Sequence, residues 1–273
     1  MPSERYKLKV NVNDSKNTRM DIDNSFAQMD FRKDELMHLG RYFRACQTMI
    51  DLSKQLGRSV KVLDIGCGEL FIPRVFYKSF LVKKSSVIQT YFGIDIDNIM
   101  LDRCKNKYEA LIQACNIKLL CRDLTVNSTF KLKDESIDLV CWFENIEHMK
   151  PEFIEPIVKE VSRVLNKNHG IALISTPNSE GSNFKLPKDH VFEWSYTELI
   201  KLLSKYFQVD PVGVGLNISK IPKEEREKNS RLIHRIYRAF GDNTAFSSVA
   251  LAPFFSPQFC KNVLYICTYN GGQ

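Results

Sequence analysis

A chain of 273 residues, 44% of them hydrophobic, is long enough for one large core and too short for two comfortable domains. Its 39 basic and 32 acidic residues leave a net charge of +7, modest for a nucleic-acid coat but suited to one local anionic contact. The eight cysteines are scattered without a C-x-x-C pair, and no apolar run approaches the roughly 18 to 20 residues of a membrane span, so a disulfide framework and a membrane protein are both excluded.

Residues 1–24 are rich in Lys, Asp, Asn and Ser without periodicity and hold no signal-peptide core. A flexible arm on a cytoplasmic protein is expected, with the folded domain over 25–273. Leu39, Phe43, Met49, Ile50 and Leu52 recur at helical spacing and predict a helix over 36–56. Short apolar runs then predict strands over 60–65, 88–94, 117–121, 137–142 and 170–175, separated by helical patterns such as 99–114 and 151–165. A helix over 196–206 and strands over 207–214 and 262–269 complete the series. Strand and helix in alternation imply parallel βαβ units, hence an α/β, doubly wound, seven-stranded and mostly parallel sheet.

An insertion at about 217–257 interrupts the order. Within it, 222–240 reads as a helix closed by Gly241, with Ile233, Ile236, Tyr237 and Phe240 along one stripe. Arg231, Arg235 and Arg238 share another face. That face is either the solvated side of a packed insertion or a strip that contacts RNA phosphates.

The first predicted strand ends in Asp64-Ile65-Gly66-Cys67-Gly68 and runs into a helix, which lets a ligand approach bare backbone beside helix N-terminal amides. Two glycines with Glu69 following suit a cofactor without a pyrophosphate, so S-adenosylmethionine fits Asp64, Gly66 and Gly68 better than a dinucleotide does. Asp95, at the end of the second strand, is placed to accept from ribose hydroxyls, and Asp123, after the third, from an adenine amino group.

Directly after the fourth strand come Glu144, Glu147 and His148. Positions i, i+3 and i+4 of a helical turn share a face, so the three are expected to converge. His190 follows the fifth strand, and loops after strands four and five open on the same edge. Two carboxylates and two imidazoles form a divalent-metal set with room for substrate oxygens; the imidazoles favour Mn²⁺, Co²⁺ or Fe²⁺ over Mg²⁺ and make Zn²⁺ a poorer match.

The strings FENIEHM (143–149), ISTPNSEGSNF (174–184) and DHVFEWS (189–195) together resemble the small-RNA 2′-O-methyltransferases that modify the 3′-terminal ribose of silencing RNAs. The resemblance spans most of residues 36–215 and resumes at the final strand. It implies a class I S-adenosylmethionine-dependent methyltransferase fold, with Glu144, Glu147, His148 and His190 holding a divalent ion, Mg²⁺ or Mn²⁺, that binds both terminal hydroxyls. It also implies a single-stranded small-RNA 3′ end as substrate and an Argonaute- or Piwi-type protein as partner to a monomer. His148 or His190 would accept the proton. The usual F-x-P-P string is missing around Lys33 to Leu36, whereas Arg41-Tyr42 matches the Arg-Tyr that follows it, and a compact enzyme acting on single strands is expected rather than one with the double-stranded-RNA module of the plant enzymes. Two other functions remain open: a metal-assisted O-methyltransferase on a small vicinal diol or catechol, and a catalytically silent RNA-binding scaffold.

Overall fold

The computed structural model describes residues 35–79, 87–181, 186–240 and 244–269. The expected arm over 1–24, the start of folding near Ser25, the altered string at Lys33 and Asp34, the Asn183-Phe184 pair and the Gly241 cap lie outside them.

Helix α1 (Glu35–Leu56) precedes β1 (Val60–Ile65), α2 (Phe71–Ser79) and β2 (Ile88–Asp95). Helices α3 (Asn98–Lys107) and α4 (Glu109–Ala114) lead to β3 (Ile117–Cys121), and then come β4 (Leu139–Phe143), α5 (Pro151–Val164) and β5 (Ile171–Pro177). The chain ends through α6 (Tyr196–Leu203), β6 (Gln208–Leu216), α7 (Lys223–Lys228), α8 (Ser230–Phe240), α9 (Thr244–Leu251) and β7 (Cys260–Thr268). The strands form one seven-stranded sheet in the order β3-β2-β1-β4-β5-β7-β6. β1 to β5 pair in parallel, while β7 runs antiparallel between β5 and β6. Order reverses between β1 and β4, so the carboxyl ends of these strands frame a crevice at the switch point.

The sheet is covered on both faces. Every residue of β4 is buried, which explains its unbroken apolar run Leu-Val-Cys-Trp-Phe. On one face α1, α2, α3 and α4 pack through Met49, Val75, Phe76, Leu101 and Leu111. On the other, α5 places Ile154, Ile157, Val158, Val161 and Val164 against Ile65, Trp142 and Ile174. Their spacing of three and four residues is the stripe a helix needs to lie on a sheet, and each burial contributes about 1.5 to 3 kcal/mol. Seven cysteines are buried and Cys121 is exposed; all eight are free thiols.

Several expectations are corrected. The fourth strand begins at Leu139, since Ile137 makes only an isolated bridge to Leu165. The predicted helix over 99–114 breaks at Tyr108 (φ −116°, ψ 32°), whose ring is drawn into the core with the Arg74 guanidinium 5.0 Å from its centre. The helix after residue 195 stops at Leu203. The helix expected over 222–240 is two helices, because Asn229 leaves helical geometry and bonds Glu225 O through its own side chain. Phe240 ends the second of these 41% exposed, stacked on Phe246 rather than buried.

Those helices, with α9, build a lobe on a small separate core: Leu232, Ile233, Ile236 and Tyr237 pack on Leu216, Ile221, Leu251 and Phe255. The lobe leaves the sheet after Leu216 and returns at Cys260, and these two residues pair with each other. Asn262 pairs with Pro177 at the carboxyl end of β5, so the insertion stands on the same edge as the crevice.

Candidate functional site

The glycine turn is closed by Gly66 N and Cys67 N, which both donate to Ile94 O at 2.8 and 3.0 Å. Gly66 and Gly68 adopt φ of +70° and +49°, where side chains are strained. A Cβ on Gly66 would stand 2.6 Å from Asn145 Nδ2, whereas one on Gly68 would project into open space. Gly66 therefore lets the turn pack on the loop after β4, and Gly68 leaves backbone open to a ligand. Asp95 accepts from Gly68 N through Oδ2 and from Asp97 N through Oδ1, both at 3.0 Å. Its carboxylate shapes the turn and keeps further lone pairs for hydroxyl donors.

Asp64 lies beneath the turn, buried and accepting from Tyr91 Oη at 2.6 Å; burial pushes its carboxyl up to about 7. The structure thus places Asp64 beneath the glycine turn, with its Oδ2 engaged by Tyr91. Asp123 Oδ1 accepts from the hydroxyl and amide of Thr125 at 2.6 and 2.9 Å, which hold the carboxyl below the usual range. Sequence reasoning missed Ile96 and Val126, which leave large apolar side chains 63% and 82% exposed just beyond Asp95 and Asp123.

A second cluster forms beyond β4. Glu147, His148 and His190 each offer a ligand atom, and the three atoms lie within 4.8 Å of one another. Residues 146–148 make one 3-10 turn, and the carbonyl of Glu147 accepts from Val191 N at 2.8 Å and Phe192 N at 3.1 Å. These two bonds bring positions 43 residues apart in the chain (190 less 147) side by side. Ser195 and Glu198 then form a reciprocal cap that starts α6 and stops the loop from continuing.

Both imidazoles are oriented through Nδ1. His148 Nδ1 donates to Asp189 O at 2.8 Å and His190 Nδ1 to Glu193 Oε1 at 2.5 Å. That tautomer puts each ring's lone pair on Nε2, the arrangement that presents a histidine to a metal. Glu147 is 2% exposed and accepts from Thr176 Oγ1 at 3.0 Å. Burial first, and the charge of Glu144 second, raise its carboxyl well above the usual range. A buried acid repelled by another acid, beside two lone-pair nitrogens, is a donor set that a divalent cation would relieve. The residues fit such an ion, and Glu147, His148 and His190 are those that would hold it.

Glu144 departs from the expected convergence. Its φ of +48° ends the strand in the left-handed region, so it does not sit on one helical turn with Glu147 and His148. Its Oε1 accepts from Ser175 Oγ at 3.1 Å and its Oε2 from Asn262 Nδ2 at 2.8 Å, while Arg41 Nη1 stands 3.3 Å from Oε1. Among the described residues the compact donor group has three members, and Glu144 charges its border. Arg41, Ser175, Thr176, Glu193 and Asn262 are the supporting residues that sequence reasoning left unassigned. Arg231, Arg235 and Arg238 are all exposed on α8, apart from both clusters in sequence.

Sheet order and glycine turn define a class I S-adenosylmethionine-dependent methyltransferase fold. Residues 62–168 match a family model described as a methyltransferase domain. Among solved structures it is similar to the small RNA methyltransferase HEN1, at 18% identity and a TM-score of 0.51, over 84% of this chain and 26% of that one. The chain thus spans about a quarter of that protein's length. It is also similar to the 4+2 cyclase SpnF, at 17% identity and a TM-score of 0.53, over 90% of this chain and 86% of that one. A third similarity is to an S-adenosylmethionine-dependent methyltransferase from Archaeoglobus fulgidus, at 17% identity and a TM-score of 0.49, covering 80% and 91%. No curated protein matches the chain. Likeness at these identities shows the fold alone, and one fold hosts many reactions. No helix among the described residues is long and apolar enough to cross a membrane.

Proposed function

We propose that the protein transfers a methyl group from S-adenosylmethionine to the 2′-hydroxyl of the 3′-terminal nucleotide of small single-stranded silencing RNAs. The observation that carries the reading is the Glu147, His148 and His190 cluster, with both imidazoles turned by Nδ1 bonds, on the sheet edge that also holds the glycine turn. The three strings around this cluster resemble those of small-RNA 2′-O-methyltransferases, and HEN1, a small RNA methyltransferase, shares the fold.

Glu147, His148 and His190 would hold a divalent ion, Mg²⁺ or Mn²⁺, whose charge would favour a pair of neighbouring hydroxyls and lower the pKa of the attacking one. The chain's own residues do the rest. Asp95 and the open backbone at Gly68 hold the cofactor on the β1 and β2 side of the crevice. Glu193 and the Asp189 carbonyl keep the two rings in register, so the acceptor ribose is oriented before the methyl arrives. The ribose proton would pass to His148 or His190 only from a ring whose Nε2 has exchanged off the ion, because one lone pair cannot hold the ion and the proton together. Glu144, tied by Asn262 and Ser175, adds negative potential beside the cation without entering the compact group. The partner in the cell is an Argonaute- or Piwi-type protein that presents the RNA end, and the enzyme works as a cytoplasmic monomer.

The test compares single-stranded RNAs ending in 3′-OH, 3′-H and 3′-phosphate, with labelled S-adenosylmethionine and Mn²⁺, followed by periodate. Only the 3′-OH end is expected to be labelled and to become periodate-resistant. Equal labelling of all three ends would overturn the reading, since a pair of neighbouring hydroxyls would then play no part.

A further inference from the structure

Helix α8 has an unusual charge layout for a surface helix. Its eleven residues, Ser-Arg-Leu-Ile-His-Arg-Ile-Tyr-Arg-Ala-Phe, hold three arginines and no acid. Exposed helices ordinarily alternate sign and stabilise themselves with pairs four residues apart, which α7 does with Lys223 and Glu227 at 3.9 Å. Arg231, Arg235 and Arg238 are all exposed and none is ion-paired among the described residues. Spacings of four and three residues put them on one side, and Leu232, Ile233, Ile236 and Tyr237 fix the other side against the lobe's core. The arginine side cannot turn inward. Like charges kept together at a cost in self-repulsion are explained by a polyanion that neutralises them.

The lobe is tied to the carboxyl edge of the sheet through Asn178. Lys220 Nζ donates to Asn178 O at 2.8 Å, and Asn178 Nδ2 donates back to Gln258 O and Cys260 O at 2.9 and 3.0 Å. Asn262, two residues past the lobe, donates to Glu144. Gly215, with φ +74°, lies against α1, where a Cβ would meet Met37 Sδ at 2.2 Å. The insertion therefore holds a fixed place on the carboxyl edge.

From this placement we infer that Arg231, Arg235 and Arg238 form a track for the phosphates of single-stranded RNA upstream of the nucleotide in the crevice. The inference rests on the proposed RNA reading and adds where the strand runs. The exposed His234 is the one ring on this face, and with no Phe, Tyr or Trp among the arginines the track positions backbone rather than stacking a run of bases or reading sequence.

The experiment measures binding of a fluorescent single-stranded RNA of about 20 nucleotides across a salt series, with methylation of the same RNA followed in parallel. In the Arg231→Gln, Arg235→Gln, Arg238→Gln triple variant the slope of log K against log salt is expected to flatten by about 2, at about 0.7 per contact on single strands. Carried over about one decade of salt below 1 M, that slope change is about a hundredfold loss of affinity at about 0.1 M. The loss should be similar for every sequence and should vanish for a dinucleotide, which is too short to reach the track. The corresponding triple Arg→Lys variant should keep the wild-type slope, because a phosphate accepts either cation. A Gln variant with the wild-type slope, while the wild type binds and methylates the long RNA, would overturn the track and leave the RNA reading standing. A wild type that binds no RNA would overturn both.

Discussion

The guanidinium of Arg41 faces the carboxylate of Glu144 with 3.3 Å between Nη1 and Oε1, across the gap between the first helix and the loop after the fourth strand. The arginine side chain is 1% exposed and the glutamate 19%. Nε and Nη1 of Arg41 have no hydrogen-bond partner among the described residues, so nothing but this charge offsets much of the guanidinium's burial. Nη2 lies 2.7 Å from His38 Nδ1. Removing either charge leaves the other without compensation. Glu144→Gln, which strands the buried guanidinium, is expected to destabilise the fold by about 3 kcal/mol, and Arg41→Met, which leaves a more solvated carboxylate still held by Ser175 and Asn262, by about 1 to 2 kcal/mol. The double variant should cost clearly less than the two together, which a urea-unfolding cycle reads directly. Strict additivity would mean that the pair does not interact.

His38 makes that same corner sensitive to acid. Burial first, and the Arg41 charge second, hold its ring down to about 3 from an ordinary 6.5. A base kept neutral in the folded chain but protonated in the unfolded one leaves stability intact above about 6.5. Stability is then lost as pH falls from 6.5 toward 3. At about 1.4 kcal/mol per unit, the loss reaches about 2 kcal/mol at pH 5. Urea midpoints at pH 7.5 and pH 5 should show it in the wild type and not in His38→Gln, whose amide oxygen still accepts from Arg41. Parallel losses in the two proteins would place the acid sensitivity elsewhere.

Glu193 reaches the proposed ion only through His190, and its value should appear in metal affinity. With Nδ1 no longer held at 2.5 Å, the ring can turn and exchange tautomers. Glu193→Ala should weaken Mn²⁺ binding about 10- to 100-fold, read by calorimetry on the protein without RNA. Glu193→Gln, which still accepts through its amide oxygen, should recover most of it. Glu147→Gln should remove measurable binding, since it deletes a ligand rather than a support. Equal affinity in Glu193→Ala and wild type would leave the rings' orientation to the loop alone.

How much of this could be read from the sequence depends on where each determinant lies. The strands were legible because a buried parallel strand must be apolar throughout, as in Leu139–Phe143. His190 was legible because its loop follows a strand whose neighbour carries Glu147 and His148. Glu144 was misplaced because helical spacing assumes a helix, and the backbone turns to φ +48° at that residue. Its partners Arg41 and Asn262 lie 103 and 118 residues away in sequence (144 less 41; 262 less 144), a separation that only the folded sheet bridges. Asp64 reads like a ligand in the D-x-G-x-G string, yet alternation along β1 turns it to Tyr91. The break at Tyr108 follows from the pull of Arg74 and the core on one ring, which local pattern does not encode.

Asp95 is the residue whose change separates a cofactor contact from a loop strut. Its two oxygens already accept from Gly68 N and Asp97 N, so Asp95→Ala loosens the glycine turn as well as removing an acceptor for the cofactor's hydroxyls. S-adenosylmethionine affinity should fall by about 1 to 3 kcal/mol, the scale of lost bonds to a charged acceptor. Asp95→Asn keeps one carbonyl acceptor and the side-chain shape, and should show a smaller loss. Asp97 is no substitute, because its Oδ1 caps α3 by accepting from Met100 N at 3.0 Å. Calorimetry with S-adenosylmethionine and with S-adenosylhomocysteine should give the same loss for both, since the methyl group lies away from the ribose. Unchanged affinity in Asp95→Ala would remove the carboxylate from the cofactor site and leave it only the turn to hold.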